Sequence, residues 1–114
     1  MSILELFQLF AIAATLITGL YSLIWPRRIQ EFTGLIPEGG RGVTEIRAIL
    51  GGVFIGLAAG AFLLDHAVSY PLVGITYLVI AAVRTVSMFV DQSAVSSNWI
   101  STATEVIFGV LLIL

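Results

Sequence analysis

Residues 70–90 read YPLVGITYLVIAAVRTVSMFV, an apolar stretch broken by one ionised side chain, Arg84. A stretch of this length crosses a bilayer, which takes roughly 17–25 predominantly apolar residues in a helix. In hydrocarbon every backbone polar group must be satisfied internally, so the segment has to be helical. Insertion scales charge about 2.5–3.5 kcal/mol for an isolated Arg or Asp at mid-span. Such groups usually face a bundle interior, pair, and mark function or a specific contact. The reading of the chain therefore turns on what Arg84 meets.

Three further stretches have the same character: Ile3–Ile24, Thr44–Leu64 and Asn98–Leu114. The last is the shortest and carries Asn98, Ser101, Thr102, Thr104 and the second intramembrane charge, Glu105. The chain is 59% hydrophobic and 11% charged, against about 25% charged in soluble domains. The expected fold is all-α: one domain over 1–114, an integral membrane bundle of four transmembrane helices, with a short interfacial helix in the first long loop. With no cysteine in the chain, disulfides, thiolate catalysis and cysteine metal sites are excluded. The net charge of −2 does not point to nucleic acid. Met1–Leu4 has no basic residue, and the first apolar run ends in Trp25-Pro26-Arg27-Arg28. It reads as a retained helix with an interfacial stop rather than a signal peptide.

All five basic residues are arginine. Four spans put the Trp25–Val43 and Asp91–Ser97 loops on one side. Arg27, Arg28 and Arg41 lie in the first of these, and Arg47 in the first turn of the second span. The other side, with both termini and the Asp65–Ser69 turn, has no Lys or Arg. The positive-inside rule then predicts a multi-pass protein of the inner (plasma) membrane with both termini non-cytoplasmic. Pro is tolerated in a first helical turn, so a short helix is expected from Arg27 to Phe32, with Ile29, Phe32 and Leu35 toward lipid or the bundle. Gly34, Pro37 and Gly39-Gly40 punctuate a turn after it. The basic, aromatic-flanked segment reads as a snorkelling stop signal, with anionic lipid binding as the alternative.

Residues seven apart share nearly one helical face. Tyr77, Arg84 and Asp91 are successive sevens with Ser87 beside them, and Asn98 and Glu105 are seven apart with Ser101 between. Gln8, Thr15 and Ser22 form the corresponding stripe of the first span. Glu45 and Gly52, flanked by Ala48, Gly56 and Ala59, form that of the second. Each span thus has one polar or small stripe to turn inward. At 1.5 Å per residue, Arg84 and Glu105 both lie roughly 10 Å from the same ends of their spans. An antiparallel Arg84–Glu105 pair follows, with Asp91 able to bridge from one side and Glu45 and Arg47 able to join a wider network; Arg47 can equally reach headgroups, a neighbouring helix or another subunit. Two uses stand for that network: a staple that fixes helix register, or a polar cavity for a small anion, a proton or a headgroup. Gly52, Gly56 and Gly60 make a tandem small-residue motif for close helix packing, within the chain or against a second copy.

Asp65-His66 reads as an interfacial cap, because zinc generally needs three or four protein ligands. The only His lies at the outer edge, where it cannot serve haem between helices. No cofactor or metal is expected.

Arg47-x3-Gly51-Gly52-x3-Gly56, Arg84-x2-Ser87-x3-Asp91 and Glu105 together resemble the domain-of-unknown-function 4345 family of small four-span bacterial membrane proteins, loosely similar to DoxX-like proteins. The likeness covers the chain from about Trp25 onward and implies the four-span fold without any activity. A glycine is expected after Asp91, and Gln92 stands there. The function expected is that of a non-enzymatic accessory or scaffold subunit, partnered by the lipid bilayer and by other membrane subunits or copies of itself. A lipid- or quinone-binding bundle is the first alternative, and a small transporter or channel the second.

Overall fold

The computed structural model describes Met1–Leu114. It is all-helical, and four helices are long and apolar enough to cross a membrane: Ile3–Ile24, Gly39–Leu63, His66–Val90 and Ser96–Ile113. They are called the first to fourth spans. A short helix, Gln30–Thr33, sits in the loop between the first two, so the expected fold class is what the structure shows. The first span has the predicted bounds. The second begins earlier, with Gly39-Gly40 forming its first turn instead of a separate loop. The chain divides into two compact units, Ile12–Leu63 and Met1–Ala11 with Leu64–Leu114.

In the unit Ile12–Leu63, the first span stops because Pro26 has no N–H to continue the helical ladder. Trp25 N still donates to the Tyr21 carbonyl at 2.8 Å. The Leu23 carbonyl is one of the groups a helix end leaves without a helical donor, and Arg47 Nε of the second span donates to it at 3.0 Å. The short helix closes on Gly34, whose φ of 76° is the left-handed conformation that glycine adopts without steric cost. Of its predicted apolar side, Ile29 is buried while Phe32 and Leu35 are exposed.

The second span is not α-helical throughout. Ile46–Val53 is π-helical, between α-helical Gly39–Glu45 and Phe54–Leu63. Bonds from i to i+5 wind more residues into each turn, so a face projected by α spacing loses its register across this segment. The buried side is Ile46, Gly51, Ala58 and Ala61. Gly51, not Gly52, meets the first span: a Cβ added at Gly19 would lie 2.9 Å from the Gly51 carbonyl and 2.8 Å from Ile55 N.

In the other unit, Asp65 caps the third span, its Oδ1 accepting from Ala67 N at 3.1 Å. The neighbouring His66 stacks on Tyr70 with ring centroids 4.3 Å apart. The third and fourth spans pack along much of their length. A Cβ on Gly74 would stand 2.8 Å from the Gly109 carbonyl oxygen, so the two backbones approach as only glycine permits. Tyr77 sets its ring edge against Phe108 at 5.6 Å, and Phe10 meets Phe108 at 6.2 Å. Gln8 Nε2 donates to the Leu111 carbonyl at 2.8 Å, which gives a polar residue of the first span a partner inside the apolar region.

Candidate functional site: the Arg84 cluster

The third span ends in a Schellman-type turn. Ser93 N donates to the Met88 carbonyl at 2.9 Å, the bond that closes such an ending. The residue at the turn's left-handed position is Gln92, with φ 51°, the one non-glycine residue of the chain at positive φ. The tight turn sends the fourth span back beside the third and brings Asn98 and Glu105 opposite Arg84.

Arg84 Nε donates to Glu105 Oε1 at 2.9 Å and to Oε2 at 3.2 Å, while one terminal nitrogen donates to Oε2 at 2.8 Å. The other terminal nitrogen donates to Asn98 Oδ1 at 3.0 Å. Asn98 is itself fixed, its amide donating to the Ser93 carbonyl at 2.8 Å. The fourth span begins two residues before Asn98, so Glu105 lies about 13 Å along it at 1.5 Å per residue, against about 9 Å for Arg84 from Val90. Side chains lean toward their helix N-terminus, which carries the Glu105 carboxylate back toward Asn98 and level with the guanidinium. The Arg84 side chain is 32% exposed and that of Glu105 11%. The carboxylate is therefore the enclosed member and the arginine the accessible one.

The wider network is not formed. Asp91 does not bridge to Arg84; its Oδ2 accepts from the Ser87 hydroxyl at 2.6 Å, one helical turn away. Glu45 pairs with Arg41 on the exposed start of the second span, and Arg47 caps Leu23. Because the π segment breaks the sevenfold spacing, Glu45 and Gly52 do not share a buried face, and both are exposed. The predicted stripes fare better elsewhere. Thr15, Ser22 and Tyr77 are buried, and Ser87, Asn98 and Ser101 are partly so. Gly52, Gly56 and Gly60 close no helix contact within the unit Ile12–Leu63. A Cβ at Gly56 or Gly60 meets nothing within 4 Å, and one at Gly52 only its own helix, at 4.0 Å. The close-approach glycines are Gly19, Gly51, Gly74 and Gly109 instead. For Gly74 and Gly109 a signal was present, since each lies on the stripe of Tyr77 or Glu105.

Beside the ion pair lies an open groove of about 380 Å³. Its polar wall is Arg84, Ser87, Ser93 and Asn98, and its apolar wall includes Val79, Ile80 and Val83. Neither the groove nor the enclosed Thr102 hydroxyl, which makes no hydrogen bond, was legible from spacing. No group of three or more His, Cys, Asp or Glu is placed to hold a metal ion.

No family model, curated protein or solved structure matches this chain, so the family likeness stands on the motif residues alone.

Proposed function

We propose that this multi-pass membrane protein is a non-enzymatic accessory or scaffold subunit that works by docking its second span against a helix of another membrane protein. One observation carries the reading: a Cβ added at Gly56 or Gly60 would meet nothing within 4 Å, and one at Gly52 only its own helix. Small residues at this spacing let two helix backbones approach closely in a bilayer, where packing rather than hydrophobicity drives association. The intramembrane charges fit a structural part in it, because Arg84 and Glu105 are engaged with one another and serve to fix the third and fourth spans.

The test is native purification followed by mass measurement of the intact assembly, for the wild type and for Gly56→Leu and Gly60→Leu. The expected wild-type result is a stoichiometric complex with foreign subunits, lost in both variants while helicity and monodispersity are kept. A wild-type protein that runs alone, or a complex indifferent to both substitutions, overturns the reading.

A further inference from the structure

The groove beside Arg84 offers hydrogen-bond donors and no surplus charge. A guanidinium carries five N–H groups. The bonds to Glu105 and Asn98 use three of them, leaving one on each terminal nitrogen of a side chain that lines the groove. Asn98 uses one amide N–H on Ser93 and keeps the other. Arg84 is neutralised by Glu105 at contact distance, and Asp91, one residue past the third span, is negative and held by Ser87. An anion would gain little from such a wall, whereas an uncharged carbonyl oxygen gains donors at no electrostatic cost.

Depth narrows the choice. The third span has 25 residues; at 1.5 Å each it exceeds a hydrocarbon core of about 30 Å by about 7 Å. With the span centred, the hydrocarbon boundary falls about 4 Å inside Val90, level with Ser87 and Asn98, and Arg84 starts about 5 Å beneath it. Val83, Ile80 and Val79 continue the groove toward the midplane, the last about 16 Å from Val90. Donors therefore stand at the boundary end and apolar side chains at the deep end. A quinone ring carries carbonyls at opposite edges, and this groove supplies donors at its boundary end alone. The volume is in the range of about 300–1,000 Å³ typical of small-molecule sites.

We propose that this groove holds one acyl-ester membrane lipid, its ester carbonyl accepting from Arg84 and Asn98 and its chain lying along Val83, Ile80 and Val79. The groove is lined by residues 79–98 alone and the glycine face belongs to the second span, so substitutions at different residues test the two readings.

The experiment is native mass spectrometry of the full chain released from nanodiscs of mixed ester- and ether-linked phosphatidylcholine, matched in chain length. One lipid should be retained per chain, with the ester form enriched about tenfold, which a hydrogen bond from a charged donor readily supplies. Val83→Trp, a filling change at an exposed position that leaves the ion pair alone, should abolish retention without lowering stability. Arg84→Lys, which keeps the charge and removes the fork of donors, should abolish the ester preference. Equal retention of ether and ester lipid would reduce the groove to a surface that packs chains, and overturn the proposal. It is also overturned by preferential retention of an added quinone, by preference for phosphatidylglycerol at fixed linkage, or by a folded Val83→Trp protein that keeps its lipid.

Discussion

Gly74 and Gly109 bring the third and fourth spans so close that a single added carbon at Gly74 would collide with backbone. Gly56 and Gly60 of the second span look into open space. The second pattern is the stronger small-residue motif on paper, yet the first makes the contact. A glycine pattern states only that backbones can approach; helix pitch decides which face is turned to a neighbour. The third and fourth spans are α-helical from end to end, so residues seven apart stay aligned and polar and small groups fall on one buried line. The second span inserts π-helical Ile46–Val53, which shifts the register of the remainder of that span, so that Gly51 rather than Gly52 meets the first span.

The sharpest way to break that contrast is to remove the charge that fixes the closed pair. Arg84→Leu leaves Glu105, only 8% exposed, without its counterion. The expected cost is about 3 kcal/mol, the lower end of the range for an orphaned buried charge, because the groove keeps the site partly open. Glu105→Leu should cost less, since Arg84 retains Asn98 and an arginine can snorkel toward the boundary. The double change should recover part of the loss. Unfolding titrations in mixed detergent micelles give the three values, and simple additivity would rule out direct coupling.

Alanine at the two kinds of glycine gives the next largest difference. Gly74→Ala puts a Cβ 2.8 Å from the Gly109 carbonyl, and forcing volume into a packed site costs about 1–3 kcal/mol. Gly56→Ala adds a methyl where nothing stands within 4 Å. There the better helix propensity of alanine should leave stability unchanged or raise it by up to about 1 kcal/mol. The same titration reads both. A cost at Gly56 equal to that at Gly74 would mean that the second span's glycine face is packed after all.

These outcomes mirror how far the sequence could be read. The four spans were legible because length and apolarity suffice, and Arg84–Glu105 was legible because a short loop and undisturbed α spacing fix two helices against each other. Asn98 lay on the right stripe, although its bond to Arg84 depends on the turn at Gln92. Gly52 was misplaced because nothing in the residue pattern marks a π segment, and α spacing carried from Glu45 through Ile46–Val53 arrives on the wrong face. Arg47 sits at the start of that segment and reaches the neighbouring first span, where it caps the Leu23 carbonyl.

The smallest effect tests glycine where the backbone asks for it and the chain does not supply it. Gln92 holds φ 51°, a conformation that costs an ordinary L-residue roughly 1–2 kcal/mol. Glycine adopts it freely but has more unfolded freedom to lose, about 0.5–1 kcal/mol. The difference favours Gln92→Gly by up to about 1 kcal/mol. Gln92→Val, whose branched side chain fits positive φ poorly, should move stability the other way. Because the turn carries Ser93, whose carbonyl anchors Asn98, and Asn98 steadies Arg84, the two changes should also shift the Arg84–Glu105 coupling energy in opposite directions. A coupling energy that stays constant while stability changes would show that the ion pair is positioned by the helix contact at Gly74 and Gly109 alone, and that the turn only joins the two spans.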